Sequence, residues 1–343
     1  MRIAITTDPA IPVPPLYYGG IERVVDMLIT GLLERGHDVT LFAHKESRVL
    51  CRLVPYPSTS QRPVAVLRNT LTISKLLVTR YDVVHSFGRL AYMTALLPAR
   101  VPKVMSYQRE PTLSQVRKAV WAAHKNSLWF TGCSEYIAAQ IRPYAPAFAI
   151  PNGVPLATYT FVPEAAPDAP LVFLGRLEHI KGAHVAIEVA RRSGRALVIA
   201  GNVPDDEASR AYFAAHIKPH LDGKQIQYVG PVNDREKNAL LGSAYAFLMP
   251  ILWNEPFGIV MAEALACGTP VIGFNRGAVP EVVEDGVNGF TCESVEEMVL
   301  CVEKVKELSR IMSRKIAEAR FSSDAVVAGY EHLYGTVKQR MHE

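Results

Sequence analysis

Residues 1–43 read MRIAITTDPAIPVPPLYYGGIERVVDMLITGLLERGHDVTLFA. A short apolar run from Arg2 to Thr6 gives way to a proline-rich turn, then to apolar residues at helical spacing from Gly20 to Arg35, then to a second apolar run from His37 to Ala43. Two short apolar runs separated by a helix read as buried parallel strands with a crossover. Glu34-Arg35-Gly36-His37 marks the helix stop, because Gly36 can take the left-handed conformation that ends a helix.

The alternation continues along the chain. Further strands are expected at Val83 to His85, Lys103 to Tyr107, Trp129 to Cys133 and Phe148 to Ile150, and Pro151-Asn152-Gly153-Val154 then ends regular structure. Four prolines between Pro155 and Pro170 mark a linker. A second series follows: Leu171 to Leu174, Ala196 to Ala200, Ile226 to Val229, Ala246 to Met249 and Val271 to Phe274. The expected fold class is α/β, two Rossmann-like domains facing across a cleft, with domains at 1–155 and 156–320. Ligands of open parallel sheets bind beyond the carboxyl ends of the strands, so the loops there are the first place to look for a site. The last segment, Phe321 to Arg340, is helical in pattern, with apolar Val326, Val327, Tyr330, Leu333, Tyr334 and Val337.

A chain of 343 residues exceeds what one hydrophobic core usually serves, in keeping with two domains. Hydrophobic residues are 49% and charged residues 20%, which leaves no room for a long disordered tract. No signal peptide and no apolar run near the ~20 residues of a membrane span are evident, so a cytoplasmic location is expected. The five cysteines form no C-x-x-C pair and read as reduced thiols rather than zinc ligands or disulfides. Residues 1–165 carry 18 Lys/Arg against 10 Asp/Glu, and the remainder 19 against 23. The basic half could steer anionic ligands or dock weakly on an anionic membrane surface, or be a solvated surface. In it Leu113 to Lys125 mixes Val116 and Trp121 with Arg117, Lys118 and Lys125, and Arg62, Arg68, Lys75 and Arg80 precede it. A basic helix with Trp suits the inner membrane face, although such helices more often pack on their own domain. Nucleic acid is not an expected partner.

Three loops carry chemistry. Asn254 to Gly268, NEPFGIVMAEALACG, places Glu255 in a turn and Glu263 on the helix that follows. Pro256 is tolerated in a first helical turn and Gly258 allows close approach, so the helix start suits an anion such as a diphosphate. The two carboxylates bracket that position, and carboxylates hold hydroxyl-rich groups such as a ribose or a sugar. The apolar Phe257 between a proline and a glycine indicates a packed, constrained turn. FLGRLEHIKG, after the strand at Leu171 to Leu174, supplies Gly175, Arg176, Lys181 and Gly182. Its two cations can stabilise a leaving diphosphate, and no Asp-x-Asp metal motif occurs, so no metal is expected. Gly19-Gly20 before the first helix is a second candidate anion-facing start, with Glu22 in its opening turn. His85, at the end of its strand, could position an acceptor or donor hydroxyl, or be a hydrogen-bonded core histidine.

Glu-Pro-Phe-Gly with a second glutamate eight residues after the first resembles the signature of retaining glycosyltransferases of family 4, and G-R-L-x-x-x-K-G resembles that family's second motif. The resemblance covers nearly the whole chain and is more specific in the second half. It implies the GT-B fold, with the donor held by the second domain, the acceptor by the first, and the final helix, about 321–343, crossing back onto the first. It implies transfer of a hexosyl group from a nucleotide diphosphate-sugar (UDP-, GDP- or ADP-sugar) to an acceptor hydroxyl, with retention and no metal or other cofactor. Arg176 and Lys181 would stabilise the leaving diphosphate, Glu255 orient the sugar or its developing positive charge, and Glu263 hold the ribose. Pro256, Phe257, Gly258 and Ile259 would line the donor. Gly19 and Gly20 resemble the family's glycine loop, and Tyr228 to Val232 resembles the segment around the nucleotide base, with Gly201 and Gly175 on the same wall. The loop with Gly277, Pro280 and Glu281 also matches. Many members have a second histidine where this chain has Phe87, so contacts made by it are not expected here. A GT-B epimerase or phosphorylase, or a non-catalytic nucleotide-sugar-binding protein, is the alternative. A nicotinamide dehydrogenase fits less well, because no G-x-G-x-x-G follows the first strand. The base, the sugar and the acceptor are not specified.

Overall fold

The computed structural model describes residues 1–15, 19–60, 62–74 and 81–341. Lys75 and Arg80 of the basic stretch, and 16–18 of the segment leading to Gly19, lie outside the described residues. The chain divides into two compact units, Met1–Gly153 with Ser323–Glu343, and Val154–Ser322.

The first unit contains the strands β1 (Arg2–Thr6), β2 (Asp38–Ala43), β3 (Arg52–Pro55), β4 (Val83–Ser86), β5 (Lys103–Tyr107), β6 (Leu128–Gly132) and β7 (Ala147–Ala149). They form one sheet in the order β3-β2-β1-β4-β5-β6-β7, with every pairing parallel. Its α-helices are α1 (Gly20–Glu34), α2 (Pro63–Ser74), α3 (Leu113–Ala122), α4 (Glu135–Ile141) and, from the end of the chain, α12 (Ser323–Arg340). The strands β4 and β6 are buried along their full length, as expected of a parallel sheet covered on both faces. The strand β3 has no counterpart among the expected strands. It lies at the sheet edge, where half of its residues are exposed and the sequence RLVP carries no continuous apolar run.

The helix α12 buries the six apolar residues singled out in its pattern. It packs closely on α1, since a Cβ at Gly31 would sit 2.6 Å from Val327. Glu331 adds an ion pair to Arg35 (3.2 Å) and a hydrogen bond with His37 Nε2 (2.8 Å).

The second unit contains β8 (Leu171–Leu174), β9 (Leu197–Ala200), β10 (Ile226–Gly230), β11 (Ala246–Met249), β12 (Val271–Phe274) and β13 (Gly289–Cys292), ordered β10-β9-β8-β11-β12-β13 and again parallel. Its helices are α5 (Ala183–Ser193), α6 (Glu207–Tyr212), α7 (Asp234–Ser243), α8 (Ile259–Ala266), α9 (Val279–Val282), α10 (Val295–Lys304) and α11 (Arg310–Ile316). The edge strand β13, GFTC, is the other one that its short, mixed sequence concealed. The strand order reverses at β8, whose neighbours are β9 on one side and β11 on the other. The connections after β8 and β11 therefore lead to helices on opposite faces of the sheet, with a crevice between them at the strands' carboxyl ends. The two ends of the unit meet, with Val154 pairing with Ser322 and its N–H donating to the Phe321 carbonyl at 2.7 Å. Arg310 secures the interior beside them: its guanidinium donates to the carbonyls of Val162, Gly242 and Ala244 and to Thr269 Oγ1, all at 2.8 Å.

Candidate functional site

The loops after β8 and β11 meet at the switch point of the second sheet. The Leu252 N–H donates to the Ile180 carbonyl at 2.8 Å, tying one loop to the other. Gly182 sits between them in the left-handed region (φ 75°), and a Cβ there would run into the Pro250 carbonyl oxygen. Lys181 and Glu255 are thereby brought together. The Lys181 Nζ donates to Glu255 Oε2 at 2.7 Å, and both side chains are largely buried. Trp253 Nε1 donates to the same oxygen at 3.0 Å, and the ammonium lies 4.8 Å from the Trp253 ring centroid. Two donors on Oε2 fix the carboxylate plane, while Oε1 receives no hydrogen bond among the described residues. Arg176, on the same loop as Lys181, pairs with Glu178 at 2.8 Å and keeps 39% of its side chain exposed.

Glu255 is also held through its backbone. It bridges to Gly277, and its carbonyl accepts the Ala278 N–H at 2.8 Å, so the loop with Gly277, Pro280 and Glu281 supports this turn. Phe257 is buried edge-on against Phe321, with centroids 5.7 Å apart. The helix α8 starts later than its sequence suggested. Gly258, at φ 77°, is its N-cap and Ile259 its first residue, so Pro256 precedes the helix and is not in its first turn. A left-handed glycine interrupts the helical path, which explains the shift. No side chain caps α8, and Gly258 and Ile259 remain half-buried, so its positive end is open to an anion.

Glu263, one turn into α8, is 6% exposed. Its Oε1 accepts from Tyr159 Oη at 2.5 Å and from Lys237 Nζ at 2.6 Å. Burial first, and the Glu263 charge second, push the Tyr159 phenol well up, so it remains a donor. Gly175 and Gly201 lie on adjoining strand ends, with the Gly175 N–H bonded to the Ala200 carbonyl at 3.1 Å and the Gly201 N–H to the Gly230 carbonyl at 2.9 Å. Tyr228 Oη donates to the Gly201 carbonyl at 2.9 Å, and Val232 follows half-buried. Trp253, Tyr159 and Lys237 are site residues that the sequence reading does not single out. Trp253 stands two residues before Glu255, and that proximity is the one available signal among the three. Tyr159 falls in the proline-rich linker and Lys237 on an ordinary charged helix, so neither has a signal of its own.

In the first unit Gly19 caps α1 and Gly20 is its first residue. A Cβ at Gly19 would approach Pro15 to 2.6 Å and the Glu22 carboxylate to 2.9 Å. That carboxylate occupies the neighbourhood expected to receive an anion. Burial pushes the Glu22 pKa up, which favours the neutral form there.

His85 departs from the expected role of positioning a substrate hydroxyl. It is fully buried, with Nδ1 2.6 Å from Tyr334 Oη and Nε2 2.6 Å from Ser106 Oγ. Phe87 packs on the ring at 4.2 Å and Tyr330 at 5.1 Å. Burial pushes its pKa down to about 3, so the ring is neutral, and its single donor and single acceptor are both engaged. It is a core histidine that joins β4 to α12.

The basic surface is also revised in detail. The helix α3 ends at Ala122 rather than Lys125; it buries Val116 and Ala119 and leaves Trp121 90% exposed. The helix α2 turns Val64, Leu67 and Leu71 outward, a stripe of apolar residues beside Arg68. No helix among the described residues is long and apolar enough to cross a membrane.

Residues 162–321 match the family described as Glycosyl transferases group 1, and residues 18–158 the one described as Glycosyltransferase Family 4. A glycogen synthase of Mycobacterium tuberculosis is 28% identical over 90% of this chain and 87% of its own. A phosphatidyl-myo-inositol mannosyltransferase of Mycolicibacterium smegmatis is 27% identical over 98% of this chain and 94% of its own. Among solved structures, AviGT4, a glycosyltransferase involved in avilamycin A biosynthesis, has a TM-score of 0.72 at 25% identity, covering 99% of this chain and 98% of that one. The Anabaena protein HepE in complex with UDP-glucose has a TM-score of 0.74 at 20% identity, covering 98% and 100%.

Proposed function

Since the chain belongs to the group 1 glycosyltransferases of family 4, with the GT-B fold, we propose that it moves a hexosyl group from a nucleoside diphosphate-sugar to an acceptor hydroxyl, with retention at the anomeric carbon and without a metal. The observation that carries this reading is the convergence of Lys181, Glu255 and the open start of α8 at the switch point of the second sheet. The diphosphate lies at the α8 N-terminus, where the helix dipole and the cations Arg176 and Lys181 oppose its charge. An ammonium has three N–H groups, so Lys181 can hold Glu255 with one and still donate to a phosphate oxygen. As the glycosidic bond breaks, negative charge grows on the diphosphate and positive charge on the sugar. Lys181 and Arg176 stabilise the first, and the free Oε1 of Glu255 orients the sugar hydroxyls or faces the second. Glu263 holds the ribose. With His85 sealed in the core, the leaving phosphate oxygen is the base that takes the acceptor proton on the same face, which gives retention.

The absence of Asp-x-Asp in the sequence and the presence of two loop cations support a metal-independent reaction. UDP-glucose in HepE and ADP in a plant starch synthase make UDP- and ADP-sugars the first donors to try, with GDP-sugars beside them. Thermal-shift measurements with UDP, GDP and ADP identify the base, because a ligand of the native state raises its apparent stability by mass action. The anomeric configuration of the product, read by NMR coupling constants, then tests the mechanism. An inverted product, or cleavage that requires free phosphate, would sink this reading. The exposed Trp121 and the outward apolar stripe of α2 also support weak docking of the basic unit on anionic membranes. Co-sedimentation with anionic vesicles at low salt is expected, and its absence removes that element.

A further inference from the structure

Glu263 has a carboxylate whose two oxygens are treated differently. Oε1 takes both Tyr159 Oη and Lys237 Nζ, whereas Oε2 accepts no hydrogen bond among the described residues and the side chain keeps 8% of its surface exposed. Both donors stand on firm supports. Lys237 is in the opening turn of α7, which a capping box of Asn233 and Glu236 fixes, and Asp234 lies 3.5 Å from its ammonium. The Lys237 ammonium is also 5.4 Å from the Tyr159 ring centroid. Tyr159 is held by its carbonyl, which accepts from Arg314 Nη1 at 3.0 Å; the same nitrogen donates to the Ala266 carbonyl at the end of α8 at 2.7 Å. One arginine thus ties the tyrosine to the helix that carries Glu263.

The geometry points to Tyr159 and Lys237 as positioning residues that turn Glu263 into a fixed single-oxygen acceptor, and so make the donor site selective for ribonucleotides over deoxyribonucleotides. This rests on the reading in which Glu263 faces the ribose. An unsupported glutamate can rotate away from a missing hydroxyl and find water, whereas a clamped one is left with an unpaired acceptor when the hydroxyl is absent.

The test is titration calorimetry with UDP, GDP and ADP and with the 2′-deoxy and 3′-deoxy forms of each. Wild-type protein is expected to bind one ribonucleotide at least ~10-fold more tightly than one of its deoxy forms, a tenfold ratio corresponding to about 1.4 kcal/mol. In Tyr159→Phe and Lys237→Met that ratio should fall to within about threefold, with the deoxy form bound at least as tightly as by wild type and Lys237→Arg restoring part of the preference. Variants that weaken both forms equally would mark the two residues as merely structural and overturn the inference. A wild-type protein indifferent to both deoxy forms would also overturn it, while leaving the glycosyltransferase reading intact. Failure of every nucleotide to bind wild-type protein would instead remove the reading beneath it.

Discussion

Lys181→Ala is expected to slow sugar transfer by at least ~10²-fold, the scale found when one preorganised charge-stabilising donor is removed. Two losses combine. The leaving diphosphate loses an ammonium that its growing charge would have engaged, and Glu255 loses the closer of the two donors on Oε2, keeping only Trp253 at 3.0 Å. A carboxylate without its counter-ion then stands beside an anionic leaving group. The deficit should appear in kcat as well as kcat/KM, because the interaction strengthens as charge develops. Arg176→Ala is expected to lower transfer on the same scale. Turnover near that of wild type in either variant, with an unchanged melting temperature, would refute the assignment.

Gly182→Ala is expected to lower stability by about 3 kcal/mol or more, the sum of left-handed strain and a clash that cannot relax without moving a loop. The obstacle is the Pro250 carbonyl, a backbone atom, so no side-chain rotation relieves it. By the usual scaling for a unit of this size the melting temperature should fall by roughly 6 to 12 °C. Transfer activity should fall with it below the transition, since the loop that moves carries Lys181. A calorimetric scan reads the first effect and an assay well below the transition reads the second. A variant that melts like wild type would show that the two loops are not held together in this way.

Most of the fold was legible because central parallel strands are buried on both faces and so read as unbroken apolar runs. Ala246–Met249 and Val271–Phe274 matched their expected bounds for that reason. The edge strands Arg52–Pro55 and Gly289–Cys292 were missed because the whole of the first and half of the second are partly or fully open to solvent and the apolar signal thins accordingly. The candidate site shows the same division. Lys181 and Glu255 lie in loops with recognisable motifs, and they meet in space. Tyr159 and Lys237 reach Glu263 from 104 and 26 residues away, and only the folded chain puts a linker tyrosine against that helix. His85 illustrates the opposite error. A histidine at a strand end suggests a site, but the tyrosine that claims its Nδ1 is 249 residues further on.

The pairing of Val154 with Ser322 gives the second unit the form of a cassette. It is one uninterrupted stretch whose first and last residues are neighbours, so its ends can be joined by a short link and new termini opened in an exposed loop. Every bond described around Glu255 and Glu263 lies within that stretch. The first unit has no such autonomy: without α12, supplied from the far end of the chain, α1 loses its partner and His85 is left with a buried, unmatched nitrogen. If the donor sits as proposed above, transplanting nucleotide specificity between relatives is a matter of exchanging one continuous segment, whereas exchanging the other unit requires two.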